Sequence, residues 1–279
     1  VSWVPPGPAW LFCPADRPER YAKAAAVADV VILDLEDGVA PADKEAARAA
    51  LIDTPLDPES TIVRVNPVGT RDHELDLIAL DGTRYTRLML SKCESSEDVL
   101  SLAPAEVIAL IESPRGALAV ADVALAANTV GVMWGAEDLV AGLGGNSSRH
   151  ANGSYRDVAK HVRSTSLLAA KSYGRLAVDS VYLDIKDLVG LGVESADAVA
   201  VGFDVKVAIH PSQIEVIRGA FAPSESEIDW ATRVLAAVST ERGVFAFEGK
   251  MVDAPVLRHA EKLLHRAGLF QSEDTSERR

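Results

Sequence analysis

Short apolar runs rich in β-branched residues recur along this 279-residue chain, and several of them end in acids. Val30-Val31-Ile32-Leu33 runs into Asp34, Glu36 and Asp37. Val107-Ile108-Ala109-Leu110-Ile111 runs into Glu112. Val130-Gly131-Val132-Met133-Trp134 runs into Gly135, Glu137 and Asp138. Runs of this kind read as strands buried on both faces, as in a parallel sheet. Carboxylates at the exits of several such strands converge on one end of a sheet or barrel. Converging carboxylates favour a hard cation and point to Mg²⁺-assisted chemistry.

The spacing predicts eight strands, at 10–14, 30–35, 61–66, 87–92, 106–111, 130–134, 176–183 and 205–209. Helical periodicity fills the intervals at Arg17–Val27, Lys44–Ile52, Arg115–Ala127 and Tyr155–Tyr173. Asp43 and Ser212 are candidate N-caps, and Gly174 a candidate C-cap. Eight strand–helix units are the unit count of a (β/α)₈ barrel. A doubly wound open sheet competes, but the first strand ends in Cys13-Pro14-Ala15-Asp16 rather than a Gly-rich phosphate turn. The expected architecture is therefore an α/β TIM barrel over residues 1–223. A C-terminal extension over 224–270 would pack on the barrel or a neighbouring subunit. It comprises a helix over 224–242, a Gly-bounded apolar segment from Gly243 to Asp253, and a last helix opening at Pro255. Residues 271–279 read as a flexible tail.

The net charge of −13 argues against nucleic-acid binding, so an anionic ligand would need a local basic pocket. Cys13 and Cys93, both in expected strands, read as buried reduced thiols of a cytoplasmic protein. No uncharged stretch is long enough to span a membrane, and Val1 to Pro8 lacks the pattern of a signal peptide.

Glu112 and Asp138 are the foremost metal candidates, because they follow strands that would be barrel neighbours. Glu36 and Asp37 would orient metal-bound waters or accept a proton, or would support the site through hydrogen bonds. Strand alternation turns Asp34 away from Asp37, which makes it a weaker candidate. Arg64, inside Ile62-Val63-Arg64-Val65, is costly unless paired; it would face a substrate carboxylate, an acid partner such as Glu36 or Asp37, or both. Gly135 and Ala136 offer backbone donors to a substrate carboxylate, or equally a tight strand-to-helix turn. Arg17, Arg20 and Lys23 fall at i, i+3 and i+6 of the first helix; alone, they read as a solvated basic face. His210 reads as structural. Lys92 reads as an ion-pair partner of the acids rather than a Schiff-base lysine.

Eight segments together carry a family resemblance: LFCPADRPER (11–20), VVILDLEDGVAPADKEAAR (30–48), VRVNP (63–67), SKCES (91–95), ALIESPRGAL (109–118), WGAEDLVAGLG (134–144), GFDVKVAIHPSQIEV (202–216) and FEGKMVDAPV (247–256). The chain resembles the citrate lyase β-subunit-like branch of the HpcH/HpaI aldolases, from about Trp10 to Ala267. Ser91 and Cys93 depart from the Pro and Val of many relatives. The resemblance implies a (β/α)₈ barrel, usually a homotrimer or multiple of trimers, with Mg²⁺ as cofactor. It implies reversible cleavage of a 3-hydroxyacyl-CoA thioester into an acyl-CoA and a 2-oxo acid. Glu112 and Asp138 match its metal ligands, and Arg64 the arginine that holds the 2-oxo acid. Gly135 and Ala136 match its carboxylate donors. Arg17, Arg20 and Lys23 fall in the segment facing the CoA phosphates. Asp253 matches an acid delivered to a neighbouring subunit's site, which would protonate the thioester enolate or remove the α-proton in condensation. Two alternatives stand beside this reading: a citrate lyase β subunit acting on a carrier-protein thioester with partner chains, and a CoA-independent aldolase for free hydroxy acids.

Overall fold

Parallel strands need crossover connections, and the alternation of apolar runs with amphipathic stretches supplies one after each strand. In the computed structural model, which describes residues 3–238 and 244–269, the eight expected strands close into a barrel in sequence order, with the last strand paired to the first. The elements run β1 (Ala9–Pro14), α1 (Tyr21–Val27), β2 (Val30–Asp34), α2 (Lys44–Asp53), β3 (Thr61–Val65), α3 (Arg71–Leu80), β4 (Arg87–Leu90) and α4 (Ser96–Leu100). They continue with β5 (Glu106–Ile111), α5 (Pro114–Leu125), β6 (Thr129–Trp134), α6 (Ala136–Gly142), α7 (Asp157–Ser172), β7 (Leu176–Asp179), α8 (Leu188–Val201), β8 (Val205–Ala208) and α9 (Ile214–Phe221).

Alternation along the strands sorts the side chains. Val30 and Ile32, Ile62, Met89, Ile108 and Leu110, Met133, Val178, and Val205 and Val207 fill the barrel interior with Trp10. Complete burial of each such side chain contributes about 1.5–3 kcal/mol. The same period of two carries the inward row to Asp34 in β2, Arg64 in β3 and Glu112 just past β5. The register of β5 and β6 slips by one residue between Val107 and Ile108. That bulge resets the phase of β6, so that Met133 faces inward and Gly135 follows it two residues later. The site residues are therefore continuations of the hydrophobic interior past the point where it meets solvent.

Several local expectations need correction. Cys93 lies beyond the end of β4, although both cysteines are buried and unpaired as expected. The stretch Arg17–Val27 is not one helix: a 3₁₀ turn at Pro18–Arg20 precedes α1, so Arg17, Arg20 and Lys23 do not share one helical face. Asp43 sits at the N-cap of α2 but its side chain makes no capping bond. His210, not Ser212, caps the turn before α9: its side chain accepts from the Ser212 N–H, while Gln213 reaches back. Gly174 does take the left-handed conformation expected after α7.

The chain divides into two compact units, Val1–Arg218 and Gly219–Arg279. Within the second, α10 (Glu225–Ala237) opens with a capping box between Ser224 and Glu227. The apolar segment is a hairpin of β9 (Phe245–Phe247) and β10 (Lys250–Val252), turned by Glu248 and Gly249 with positive φ at both. The last helix, α11 (Ala254–Arg266), packs on α10 through Ala231, Val234, Ala260 and Leu263. The helix expected at 224–242 ends earlier, at Ala237; residues 239–242 and the expected tail at 271–279 lie outside the described residues.

Candidate active site

The C-terminal ends of the strands surround a cavity of about 380 Å³, lined among others by Phe12, Asp34, Arg64, Glu112, Gly135 and Asp138. Arg64 is the centre of one side. Its Nε and one terminal nitrogen each donate at 2.6 Å to the two oxygens of Asp34. Its other terminal nitrogen lies 3.2 Å from Glu36 Oε2. The guanidinium stacks over the Phe12 ring at 4.6 Å. This bidentate pair overturns the expectation for Asp34. The strand ends at Asp34, so alternation does not extend to Asp37, and Asp34 turns inward. Asp34 also accepts the Glu36 and Gly38 N–H groups, at 2.9 and 2.8 Å. A Cβ at Gly38 would come within 2.3 Å of its carboxylate, so only glycine lets the turn close around the acid.

Lys92, just past β4, gathers the acids from beside Arg64, with which it shares Glu36. It is one of two described non-glycine residues with positive φ, at 48°. Its N–H donates to Glu112 Oε1 at 3.1 Å. Its ammonium contacts Glu36, reaches Asp37 Oδ2 at 3.1 Å and lies 3.4 Å from Asp138 Oδ1. This is the ion pairing the sequence favours over a Schiff base. Burial holds the Glu36 carboxyl above its ordinary range, against the pull of Arg64 and Lys92. For Asp37 burial pushes the same way, but Lys92 outweighs it and the group is held low.

Glu112 is 4% exposed. Burial first, then the charge of Asp138, pushes its carboxyl up to about 8, with Lys92 and Arg64 opposing. Gly135 lies directly over it: a Cβ there would sit 2.9 Å from both Cβ and Oε2 of Glu112. The Gly135 N–H donates to the Ile111 carbonyl at 2.9 Å, so Gly135 is not a free donor to substrate, which corrects that expectation. The reason is that β6–β5 pairing continues one residue past the strand. Ala136 starts α6 and its N–H has no intrahelical partner. Asp138, in the first turn of α6, lines the same cavity as Glu112.

Among the described residues no three metal-type side chains cluster at ligand spacing. The donor set is two carboxylates, one buried and destabilised in its charged form by the other. That suits a hard dication completing its shell with water and substrate oxygens.

Arg17 and Arg20 are exposed and lie beside Asp16 and Glu19, at 3.3 and 3.8 Å; neither they nor Lys23 line the cavity. Asp253 belongs to the second unit, where its side chain caps α11 by accepting the Val256 N–H at 3.2 Å. Sequence reasoning missed Lys44. Buried, it donates to the Leu35 and Glu36 carbonyls at 2.7 and 3.0 Å and to Asn66 at 2.9 Å, pinning the turn that carries the acids. Lys44 stands eight residues after Glu36, but only the turn between them brings it back, so no local pattern marked it.

A parallel eight-stranded barrel with acids, an arginine and a lysine at its C-terminal mouth defines a class of barrel enzymes that act on anionic substrates. The chain belongs to the HpcH/HpaI aldolase/citrate lyase family, whose profile matches residues 9–211. A second profile, for a C–C bond lyase of the TIM-barrel fold, matches residues 156–271. The chain is thus a carbon–carbon lyase by family. It is 66% identical over 267 residues to a citrate lyase subunit beta-like protein of Mycobacterium tuberculosis, covering 96% of this chain and 98% of that one. It is 32% identical over 290 residues to human mitochondrial citramalyl-CoA lyase, covering 92% and 84%. The crystal structure of CitE from M. tuberculosis in complex with magnesium, acetoacetate and coenzyme A superposes with a TM-score of 0.91, at 66% identity, over 94% of this chain and 98% of that one. No helix among the described residues is long and apolar enough to cross a membrane.

Proposed function

We propose that this chain is a Mg²⁺-dependent lyase that reversibly cleaves a 3-hydroxyacyl-CoA thioester into an acyl-CoA and a 2-oxo acid. The observation that carries the reading is the pairing of buried Glu112 with Asp138 in the cavity that Arg64 also lines. Glu112 and Asp138 would hold the cation, which when bound supplies Lewis-acid polarisation of the oxo acid's oxygens. Arg64 spends one edge on Asp34 and keeps outward N–H groups on its terminal nitrogens for the substrate's carboxylate end. Asp34 and Glu36 hold that guanidinium, and Phe12 covers one face of it. The Ala136 N–H is the backbone donor left for the carboxylate.

In cleavage the hydroxyl proton would pass to the carboxylate of Asp37, which lines the same cavity, as the C–C bond breaks and its electron pair passes to the thioester as an enolate. A proton then returns at the α-carbon. We assign that proton to Asp253 of a neighbouring subunit, whose capping bond uses one carboxylate oxygen and leaves the other without a hydrogen bond among the described residues. This assignment requires an oligomer, for which we propose a homotrimer. Arg17, Arg20 and Lys23 are proposed to meet the CoA phosphates outside the cavity, where their exposure lets them swing. Burial holds the Cys13 thiol protonated, up to about 11, and Cys93 up to about 12. Two inert thiols support a cytoplasmic location.

The test is a steady-state assay on a panel of malyl-, citramalyl-, 3-hydroxy-3-methylglutaryl- and citryl-CoA, with Mg²⁺ and with EDTA. Cleavage of one member that EDTA abolishes is expected. No cleavage of any member would move the reading to a carrier-protein thioester. Deuterium exchange at the α-carbon of the acyl-CoA tests Asp253: Asp253→Asn should stop it.

A further inference from the structure

We propose that Lys92 is a resident cation of the site: it shares Asp138 with the divalent ion, so its charge weakens cation binding until an anionic substrate arrives. The inference rests on the reading of Glu112 and Asp138 as cation ligands, and goes beyond it. One residue touches both of those acids, Glu112 through its N–H at 3.1 Å and Asp138 through its ammonium at 3.4 Å. The left-handed backbone at Lys92 makes this double contact available from one position. Its side chain is one-third exposed, which leaves it room to move.

The charges around the mouth do not balance. Asp34, Asp37, Glu112, Glu137 and Asp138 line the cavity with Arg64, and Glu36 stands between Arg64 and Lys92. Arg64 is paired directly with Asp34 and Glu36, so Lys92 is the cation that touches Asp37, Glu112 and Asp138. Of its three ammonium contacts that to Asp138 is the longest. It is therefore the one released at least cost, with Glu36 and Asp37 keeping the ammonium nearby. A dication held by Asp138 would be near that ammonium, which lies 3.4 Å from the same carboxylate, and like charges in a half-buried site repel strongly. A substrate carboxylate held in the cavity that Arg64 lines would add negative charge and offset the repulsion. Cation and 2-oxo acid would then bind with positive coupling, and by linkage the coupling is reciprocal.

The experiment is Mn²⁺ titration of the metal-stripped protein by calorimetry, alone and with pyruvate, for wild type and Lys92→Met. Without pyruvate the variant should bind Mn²⁺ about ten-fold tighter or more. Pyruvate should tighten Mn²⁺ binding in wild type by a larger factor than in the variant. Equal or weaker Mn²⁺ affinity in a folded Lys92→Met overturns the role of Lys92 while leaving the metal site standing. Failure of wild type to bind Mn²⁺ overturns both. A second measurement needs no variant: acetylation of Lys92 in wild type, read by mass spectrometry with and without Mn²⁺. Faster labelling with Mn²⁺ is expected, as Asp138 is released; unchanged or slower labelling overturns the proposal.

Discussion

Two ionic clusters on the same barrel have opposite characters. At the mouth, Asp34, Glu36, Asp37, Glu112 and Asp138 meet only Arg64 and Lys92 beside an open cavity that Glu137 also lines. In the wall between barrel and helices, Asp179, Glu194 and Asp197 meet Lys206, Arg163 and Arg149, acid for base. Lys206 and Asp179 are 0% and 1% exposed and lie 2.9 Å apart, with the Trp134 indole N–H also donating to Asp179 at 2.8 Å. The two buried carboxylates respond accordingly. Burial pushes Asp179 up, but Lys206 and Arg163 outweigh it and the group is held below the usual range. Glu112 has no such balance and is pushed up to about 8. A balanced cluster holds the scaffold; an unbalanced one has charge left over for a ligand.

That contrast can be broken most sharply by removing one acid from each. Asp138→Ala should lower EDTA-sensitive kcat/KM by at least about a thousand-fold, roughly 4 kcal/mol of transition-state stabilisation. Its melting temperature should stay within about 2 °C, since the side chain is exposed and loses one long contact. Near-wild-type turnover would remove Asp138 from the metal site. Asp179→Ala should do the reverse. Stripping a buried ammonium of its main partner costs about 3–5 kcal/mol, or roughly 10 °C in Tm at this chain length. Turnover per folded molecule should be unchanged; collapse of activity at an unchanged Tm would erase the distinction between the clusters.

The pH response sharpens the comparison. The proposed role of Glu112 as a ligand requires its carboxylate, so Mn²⁺ affinity should rise with pH until about 8, by about ten-fold per unit below it. A flat profile from pH 6 to 8 would show that Glu112 is already ionised. Stability without added metal carries both signs. The folded protein binds the Glu112 proton more tightly than the unfolded chain does. The stability from that group is therefore present at low pH and lost as pH rises from the ordinary Glu range through about 8. Asp179 contributes above the ordinary Asp range, and its contribution is lost as pH falls through its depressed folded value. Urea melts with EDTA at pH 5, 6, 7 and 8 should show the first decline alone. The smallest effect is expected in the second unit. Asp253→Ala should cost about 1 kcal/mol through the lost cap of α11, and Asp253→Asn, which also caps, only a few tenths. Equal losses in both would mean that the capping bond contributes little.

The barrel was legible in the sequence because buried parallel strands leave continuous apolar runs, and because the connections between them are periodic. That Glu112 and Asp138 meet at one cavity was legible because each stands where such a run stops. Asp34 was misjudged for a physical reason: alternation holds only while the chain stays extended, and the turn at 35–38 ends it. Gly135 was assigned a donor role because a small residue suits both close approach of ligand and close approach of a neighbouring side chain; the structure chooses the neighbour. Lys44 and the two-sided contact of Lys92 depend on a turn and a left-handed backbone that no local pattern announces.

The closeness of Gly135 to Glu112 has a consequence for how activity can be lost in this fold. The backbone at Gly135 is an ordinary extended one, with φ −127° and ψ 128°, so alanine would fit the chain without strain. Its methyl would nevertheless meet the glutamate, and its N–H would still bond the Ile111 carbonyl. One added carbon atom would thus press on Glu112 without changing any acidic or basic residue of the mouth. A descendant of this chain carrying that change would keep the full set of charged residues with one of them pushed from its place.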